Sequence, residues 1–159
     1  SYTGLRIGVS AAKGLCFALD IPLISVATLK SLALQASPDD GGVIVPMLDA
    51  RRMEVYSAVF DSKHHQLRET KAEIVDSSSF SGLLEKNPVY FLGDGAEKCK
   101  GLINHKNARF LTKKFPSARE MAILSAEKFE NKDFEDLAYF EPYYLKDFVA
   151  GKPKNYFNS

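Results

Sequence analysis

The chain opens with apolar and small residues at helical spacing. Between Leu5 and Leu19 they recur every three to four positions without a proline, and hydroxyl groups in the first four residues are capping candidates. The pattern predicts a helix from Ser1 to Leu19. Around its axis, at about 100° per residue, these residues fill roughly 200°. A surface helix needs little more than about 100° of apolar face. We therefore expect one side to pack on the chain's own sheet and another to bind something else.

Turn-forming residues interrupt the pattern after this helix. Ile21 to Val26 predicts a short strand, and Thr28 is a capping candidate for a helix through Ala33. The cluster from Ser37 to Gly42 combines proline, aspartate and glycine, which predicts a break between two lobes. The predicted domains are residues 1–41, the remnant of a first lobe with an interface helix, a short strand and a helix; residues 42–142, a second lobe; and residues 143–159, an aromatic and basic tail.

The spacing of apolar residues changes part-way along the second lobe. Three strands with short links predict an antiparallel meander, and strands then alternate with helices. The predicted strands are Val43–Leu48, Glu54–Phe60, Gln66–Val75, Val89–Leu92 and Arg109–Leu111; the predicted helices are Phe80–Lys86, Ala96–Ile103 and the segment after Ser117 that carries Met121 and Phe129. Pro46 removes a ladder donor, which predicts an edge or a bulge there. The order βββαβαβα indicates an α/β, ribonuclease-H-like lobe, the unit used twice in actin-like folds.

Composition narrows the classes of partner. The chain of 159 residues is 45% hydrophobic and 26% charged, with a net charge of +1, so no global field attracts nucleic acid or an anionic membrane. No run approaches the roughly 18 uncharged apolar residues of a spanning helix. Cys16 and Cys99 form no CxxC pair, which is typical of a reducing compartment, and we interpret both as small buried hydrophobes. These features predict a cytoplasmic protein.

Three segments resemble motifs of the TsaB (YeaZ) family, in the family's order. Ser1–Leu15 resembles its signature, Asp49–Tyr56 its second motif, and Tyr144-Leu145-Lys146 with Val149, Ala150 and Lys152 its closing segment. Met53 stands where the family usually has glycine, and Lys146 where it usually has arginine. Family members carry most of a first ribonuclease-H-like lobe ahead of the signature, so the resemblance implies an actin-like protein whose first lobe is truncated here.

The resemblance also implies a function. TsaB-like subunits take part in forming N6-threonylcarbamoyladenosine in tRNAs that read codons beginning with A, and do no chemistry themselves. The implied partners are a TsaD-like catalytic subunit, a TsaE-like ATPase subunit, tRNA indirectly, and a second copy when alone, with no membrane. The resemblance implies no cofactor of the chain's own, and ATP or ADP at the interface of the complex.

Three groups of candidate site residues follow. The partner-interface candidates are Leu5, Gly8, Val9, Ala11, Ala12 and Leu15 on the first helix. Anion or nucleotide candidates at the helix start are Ser1, Thr3, Gly4 and Arg6, although plain capping is the favoured interpretation. Candidates for a tRNA contact are Lys146 and Lys152 among the aromatic residues of the tail, where packing on the lobe is favoured.

Two acidic residues and a glycine-rich turn are also compatible with an enzyme active site. Asp49 and Asp94 follow predicted strands, as metal-binding carboxylates of a nuclease would, and the turn Gly93-Asp94-Gly95 could hold a phosphate. We favour ion pairing of Asp49 with its neighbours Arg51 and Arg52, and an ordinary turn at residues 93–95. No metal or catalytic residue is predicted. The alternatives are a nucleotide-dependent phosphotransferase or nuclease of the same fold, and a self-associating structural module.

Overall fold

The structure is a computed structural model that describes residues 2–146, with Tyr2 described by its backbone. In chain order its elements are α1 Tyr2–Leu19, α2 Thr28–Ala33, β1 Val43–Asp49, β2 Glu54–Phe60, β3 Gln66–Ile74, α3 Ser81–Leu84, β4 Val89–Leu92, α4 Asp94–Cys99, β5 Ala108–Leu111 and α5 Ala118–Glu130. From β1 onward this is the predicted order βββαβαβα. The first helix and the second are also confirmed.

A five-stranded sheet in the order β3-β2-β1-β4-β5 forms the centre of the lobe. β1 pairs antiparallel with β2, and β2 pairs antiparallel with β3. On the other side, β1 pairs parallel with β4, and β4 pairs parallel with β5. An antiparallel meander that continues into parallel strands is the ribonuclease-H-like arrangement, so the predicted fold is confirmed.

β1 lies at the middle of this sheet and is covered on both faces. Val43, Val45 and Met47 point to the face that holds Phe91 and the helices α3 and α4. Ile44 points to the other face, where it packs with residues of α2 such as Leu32. A strand buried on both faces needs a nearly continuous apolar run, and Val43–Leu48 supplies one.

An aromatic cluster stabilises the α3 and α4 face. The ring of Phe91 lies 5.1 Å from that of Phe110 in a stacked arrangement and 5.4 Å from that of Phe80 in an edge-on arrangement. Phe91 is fully buried. Buried aromatic pairs of this kind contribute about 0.5–1.5 kcal/mol each beyond the area they bury.

Pro46 lies in the central strand, so the predicted edge or bulge is wrong. The residues on either side of Pro46 pair with β2 in one continuous register: Ile44 lies opposite Phe60, and Met47 lies opposite Ser57. The proline removes one ladder hydrogen bond, a small loss compared with burial of the strand on both faces.

Two predictions about the segment between the first two helices are wrong. Within residues 2–146, the run from Ile21 to Val26 pairs only through an isolated bridge between Leu23 and Glu135, so it is not a strand of the sheet. Pro22 has no N–H group, and the run lies beside the chain that follows α5. The N-cap of α2 is Ala27 rather than Thr28, with no side-chain capping bond.

α2 lies in the segment that we assign to the first lobe, and it packs against β1 of the second. By contrast, within the described range no residue of α1 belongs to either core cluster on the faces of the sheet. The domain boundaries at residues 41 and 142 stay predictions.

Both cysteines are buried, as predicted. Cys99, the last residue of α4, points into the core, and burial raises the pKa of its thiol, which disfavours the reactive thiolate. In the part of the chain that the structure describes, no helix combines the length and the apolar content needed to cross a bilayer.

Candidate functional site

One side of α1 presents apolar and small residues to solvent. Leu5 is 46% exposed, Leu15 62% and Leu19 64%. Between them lie Gly8 and Ala11, which are also exposed, and no described atom would lie within 4 Å of a Cβ added at Gly8. Leu5, Gly8, Ala11 and Leu15 are spaced by three and four residues, so they form a continuous strip along one helix face.

The opposite side of α1 is anchored to the segment after α5. Lys13 donates from Nζ to the carbonyl oxygens of Ala138, at 2.9 Å, and Phe140, at 3.2 Å. Cys16 is buried one helical turn further on. The anchor is therefore a run of late backbone rather than the sheet on which we expected the helix to pack.

The six predicted interface residues divide between these two sides. Leu5, Gly8, Ala11 and Leu15 are exposed, whereas Val9 and Ala12 are half-buried toward the anchored side. Two large exposed side chains were missed. Ile7, 65% exposed, extends the apolar strip, and Phe17, 82% exposed, lies outside the predicted apolar arc. An aromatic residue on the otherwise polar side was the signal that could have revealed Phe17.

The start of α1 offers little support for an anion site. Ser1 lies outside the described residues, and Thr3 and Gly4 are exposed. The guanidinium carbon of Arg6 lies 6.0 Å from the centre of the Tyr144 ring, a cation–π contact. Arg6 thus adds a second link between α1 and the late segment that holds Lys13.

A lysine clamp holds the tight hairpin between β1 and β2. Nζ of Lys98, on α4, pairs with the carboxylate of Asp49 and donates to the carbonyl oxygens of Arg52, at 2.8 Å, and Glu54, at 2.6 Å. The hydrogen bond from Lys98 holds the pKa of Asp49 below its ordinary value, with help from the N–H of Arg51 at 2.7 Å. The predicted ion pairing of Asp49 with Arg51 and Arg52 is wrong, because Lys98 is its partner.

The other candidate acid, Asp94, lies at the same edge of the sheet. Its Oδ1 accepts from the N–H of Asp49 at 3.0 Å and from that of Gly95 at 2.8 Å. The structure therefore brings Asp49 and Asp94 together, as parallel neighbouring strands require, but engages both carboxylates in local bonds. Among residues 2–146, no group of three or more histidine, cysteine, aspartate or glutamate side chains could hold a metal ion.

The turn Gly93-Asp94-Gly95 packs α4 tightly against β1. A Cβ at Gly93, whose φ is 103°, would lie 2.1 Å from the carbonyl oxygen of Met47. A Cβ at Gly95 would lie 2.9 Å from the backbone of Leu48. Since β1 fills the space that these glycines leave, close packing accounts for both glycines without a phosphate or nucleotide.

The remaining candidates have partners or fall outside the described range. Lys146 pairs with Glu54 at the β1–β2 hairpin, and Lys152 lies beyond the described residues.

Comparison with known proteins identifies the family. A family model described as TsaD, tRNA N6-adenosine threonylcarbamoyltransferase, matches residues 1–154. The chain belongs to this family. Curated proteins that are similar in sequence carry the name TsaB, tRNA threonylcarbamoyladenosine biosynthesis protein. This similarity confirms the predicted resemblance to the TsaB (YeaZ) family.

The TsaB protein of Bacillus subtilis is 36% identical over 139 residues, covering 80% of this chain and 59% of the relative. The Escherichia coli TsaB protein is 27% identical over 163 residues, covering 96% of this chain and 69% of the relative. The chain thus spans about three fifths of the length of the Bacillus relative.

Solved structures agree on the fold. A crystal structure from Pseudomonas aeruginosa, described as an uncharacterized protein with similarity to peptidase YeaZ, has a TM-score of 0.73 at 20% identity, over 92% of this chain and 69% of its own. The structure of YeaZ from the same organism has a TM-score of 0.67 at 21% identity, over 91% of this chain and 69% of its own.

Proposed function

We propose that this chain is a non-catalytic subunit that binds and supports a TsaD-like catalytic partner in forming N6-threonylcarbamoyladenosine in tRNA. The observation that carries the proposal is the exposed apolar strip of α1, Leu5, Gly8, Ala11 and Leu15. Family membership supplies the pathway, because the model that matches the chain is named for the transferase and the curated relatives for biosynthesis of the same nucleoside.

The strip has the chemistry of a helix-to-helix contact. Burying a leucine or isoleucine side chain contributes about 1.5–3 kcal/mol, and Leu5, Ile7 and Leu15 are all available for burial. Gly8 costs the isolated helix about 1 kcal/mol relative to alanine, a loss that close approach of another helix would offset. The partner's helix would therefore cross α1 near Gly8.

A supporting rather than catalytic role accords with the candidate acids. A two-metal nuclease or a phosphotransferase needs carboxylates that can reach a metal ion. Here Asp49 pairs with Lys98, and Asp94 accepts two backbone N–H groups. In this proposal the chemistry belongs to the TsaD-like subunit in the cytoplasm, a TsaE-like ATPase subunit joins the complex, and ATP or ADP binds where the subunits meet.

The test compares two substitutions at Gly8. Gly8→Leu fills the open space of the strip and should weaken binding of the TsaD-like subunit by roughly 5- to 150-fold, since overpacking costs about 1–3 kcal/mol. Gly8→Ala adds one methyl group and is the matched control, which should retain binding. Binding is measured by isothermal titration calorimetry, and folding by circular dichroism melting.

Because a Cβ at Gly8 meets no described atom and glycine is a poor helix former, both variants should melt at or above the temperature of the unsubstituted chain. Equal affinity of Gly8→Leu and the unsubstituted chain for the partner would refute the interface. Binding retained by a folded Gly8→Leu variant would mean that the partner docks elsewhere.

The same strip also favours self-association as a second candidate. Two copies could bury their α1 strips against each other, since the exposed face is apolar and a two-fold contact uses one patch twice. Light scattering before and after addition of the TsaD-like subunit separates the two. If both contacts use α1, the heteromer should form while the homodimer disappears, and Gly8→Leu should weaken both.

A further inference from the structure

The tip of the β1–β2 hairpin carries two adjacent arginines in an unusual backbone conformation. Arg51 has a φ of 72° and Arg52 a φ of 47°, both in the left-handed region that favours glycine. Such conformations cost about 1 kcal/mol or more each, and they persist where the surrounding structure enforces them. Both side chains are exposed.

The surroundings enforce the conformation through Lys98. Its Nζ donates to the carbonyl oxygens of Arg52 and Glu54 and pairs with Asp49, so all three of its donors hold the hairpin. The N–H of Glu54 also donates to the carbonyl oxygen of Arg51 at 3.1 Å. The two arginine side chains therefore project from a rigid loop, which lowers the entropy lost when they bind a ligand.

The hairpin's own carboxylates do not neutralise these arginines. Asp49 is paired with Lys98, and Glu54 is paired with Lys146. Within the described range, neither guanidinium of Arg51 or Arg52 makes a hydrogen bond or an ion pair. Lys98 and Lys146 thus occupy both carboxylates of the hairpin, and the third carboxylate at this edge, that of Asp94, accepts the N–H groups of Asp49 and Gly95. The charges of Arg51 and Arg52 therefore stay available.

We propose that Arg51 and Arg52 bind phosphodiester groups of an RNA backbone. The class of ligand follows from the proposed function, on which this inference rests, because the substrate of that reaction is a tRNA. A guanidinium presents a planar fork of donors that matches phosphate oxygens in two-point contacts. The hairpin thereby replaces Lys146, which is engaged by Glu54, as the described candidate for a contact with tRNA.

The test measures RNA affinity of the full chain assembled with its TsaD-like subunit. The probe is a fluorescently labelled transcript of a tRNA that reads codons beginning with A, and anisotropy is recorded over a series of salt concentrations. Replacing both arginines, Arg51→Gln with Arg52→Gln, should weaken binding on the order of tenfold. It should also reduce the slope of log affinity against log salt by about two, because each arginine would neutralise one phosphate group.

Two controls separate the effect of the two guanidinium groups from a general loss of positive charge and from a change in the strained backbone. Lys86→Gln with Lys106→Gln removes the same charge from two exposed positions. These lysines precede β4 and β5, so they lie at the ends of the parallel strands that face away from the hairpin. This control should leave both affinity and slope unchanged. Arg51→Lys with Arg52→Lys keeps the charge on the same backbone, and should retain the salt slope while losing part of the affinity.

An unchanged slope in the variant with both arginines replaced by glutamine would overturn the proposal, as would an equal loss of affinity in the control at Lys86 and Lys106. If the variant instead binds the TsaD-like subunit more weakly and keeps its affinity for RNA, the proposal is overturned and the arginines contact protein. Assembly of the complex is recorded separately by light scattering, so failure of the proposed function appears as no complex with the unsubstituted chain, whatever the RNA result.

Discussion

β1 and α1 are both rich in apolar residues, and the structure treats them in opposite ways. β1 is buried on both faces at the centre of the sheet, with Ile44 and Val45 fully shielded from solvent. α1 keeps Ile7 and Leu15 more than three fifths exposed and is held mainly along one side. An apolar run that the chain itself covers contributes to folding, whereas one that it leaves exposed is available for association.

The sharpest test of this difference replaces one phenylalanine in each region. Phe91→Ala removes a fully buried ring that packs between Phe80 and Phe110, and should lower the free energy of unfolding by about 3–5 kcal/mol. Phe17→Ala removes a ring that is 82% exposed on α1, and should change it by less than about 0.5 kcal/mol. Urea denaturation followed by circular dichroism measures both.

A large effect of Phe17→Ala on the isolated chain would break the comparison. It would mean that α1 contributes to the stability of the lobe and is not a surface kept for a partner.

A smaller but still large effect is expected at the turn that joins β4 to α4. Gly93→Ala would place a Cβ 2.1 Å from the carbonyl oxygen of Met47 at a φ of 103°. Strain and overpacking together should cost about 2–4 kcal/mol in unfolding free energy. Gly82→Ala, in a helix with open space around it, is the matched control and should be neutral or stabilising by up to about 1 kcal/mol. Thermal melting compares the two, and a melting temperature for Gly93→Ala equal to that of its control would show that β1 and α4 can separate.

The smallest effect is expected on β3, where a polar network joins this strand to β2. Burial raises the pKa of Glu73, but hydrogen bonds from Arg68, at 2.6 Å, and from Ser57 outweigh it, so the net pKa lies below its ordinary value of 4.5. The charged carboxylate therefore stabilises the fold above pH 4.5, and this contribution is lost as the pH falls through the lowered pKa.

Glu73→Gln should cost about 1 kcal/mol at neutral pH and flatten the loss of stability on acidification. The control is Glu69→Gln on the same strand, an exposed position that should leave the acid limb unchanged. Urea denaturation at a series of pH values measures both, and an acid limb that Glu73→Gln leaves as steep would show that the network does not stabilise the carboxylate.

The local spacing of apolar and capping residues predicted the structure correctly wherever one element buries a regular set of side chains. The alternation of β2 and the apolar run of β1 predicted two adjacent strands, and Ser117 predicted the cap of α5, where its hydroxyl oxygen accepts from the N–H of Arg119 at 3.1 Å. The same rules were wrong at Thr28 and Pro46. A cap depends on the path of the preceding chain, and the cost of a proline depends on which neighbours a strand has.

The candidate site shows the same limit. Periodicity placed Leu5, Gly8, Ala11 and Leu15 on one helix face, because spacing along a helix is a local property. It could not find Lys98 as the partner of Asp49, since the two residues lie far apart in sequence and meet only because β1 and β4 are neighbours. Nor could it show that Glu54 pairs with Lys146 and therefore does not neutralise the neighbouring Arg51 and Arg52.

The sequence by itself determined the order of the elements from β1 onward, the ribonuclease-H-like lobe and the membership of the family, because periodicity, turn residues and motifs all lie in contiguous stretches. Only the tertiary structure decided which apolar surfaces stay exposed and which charges are already paired. Exposure and ion pairing depend on distances between residues that are remote along the chain, and those distances exist only once the sheet has brought its strands together.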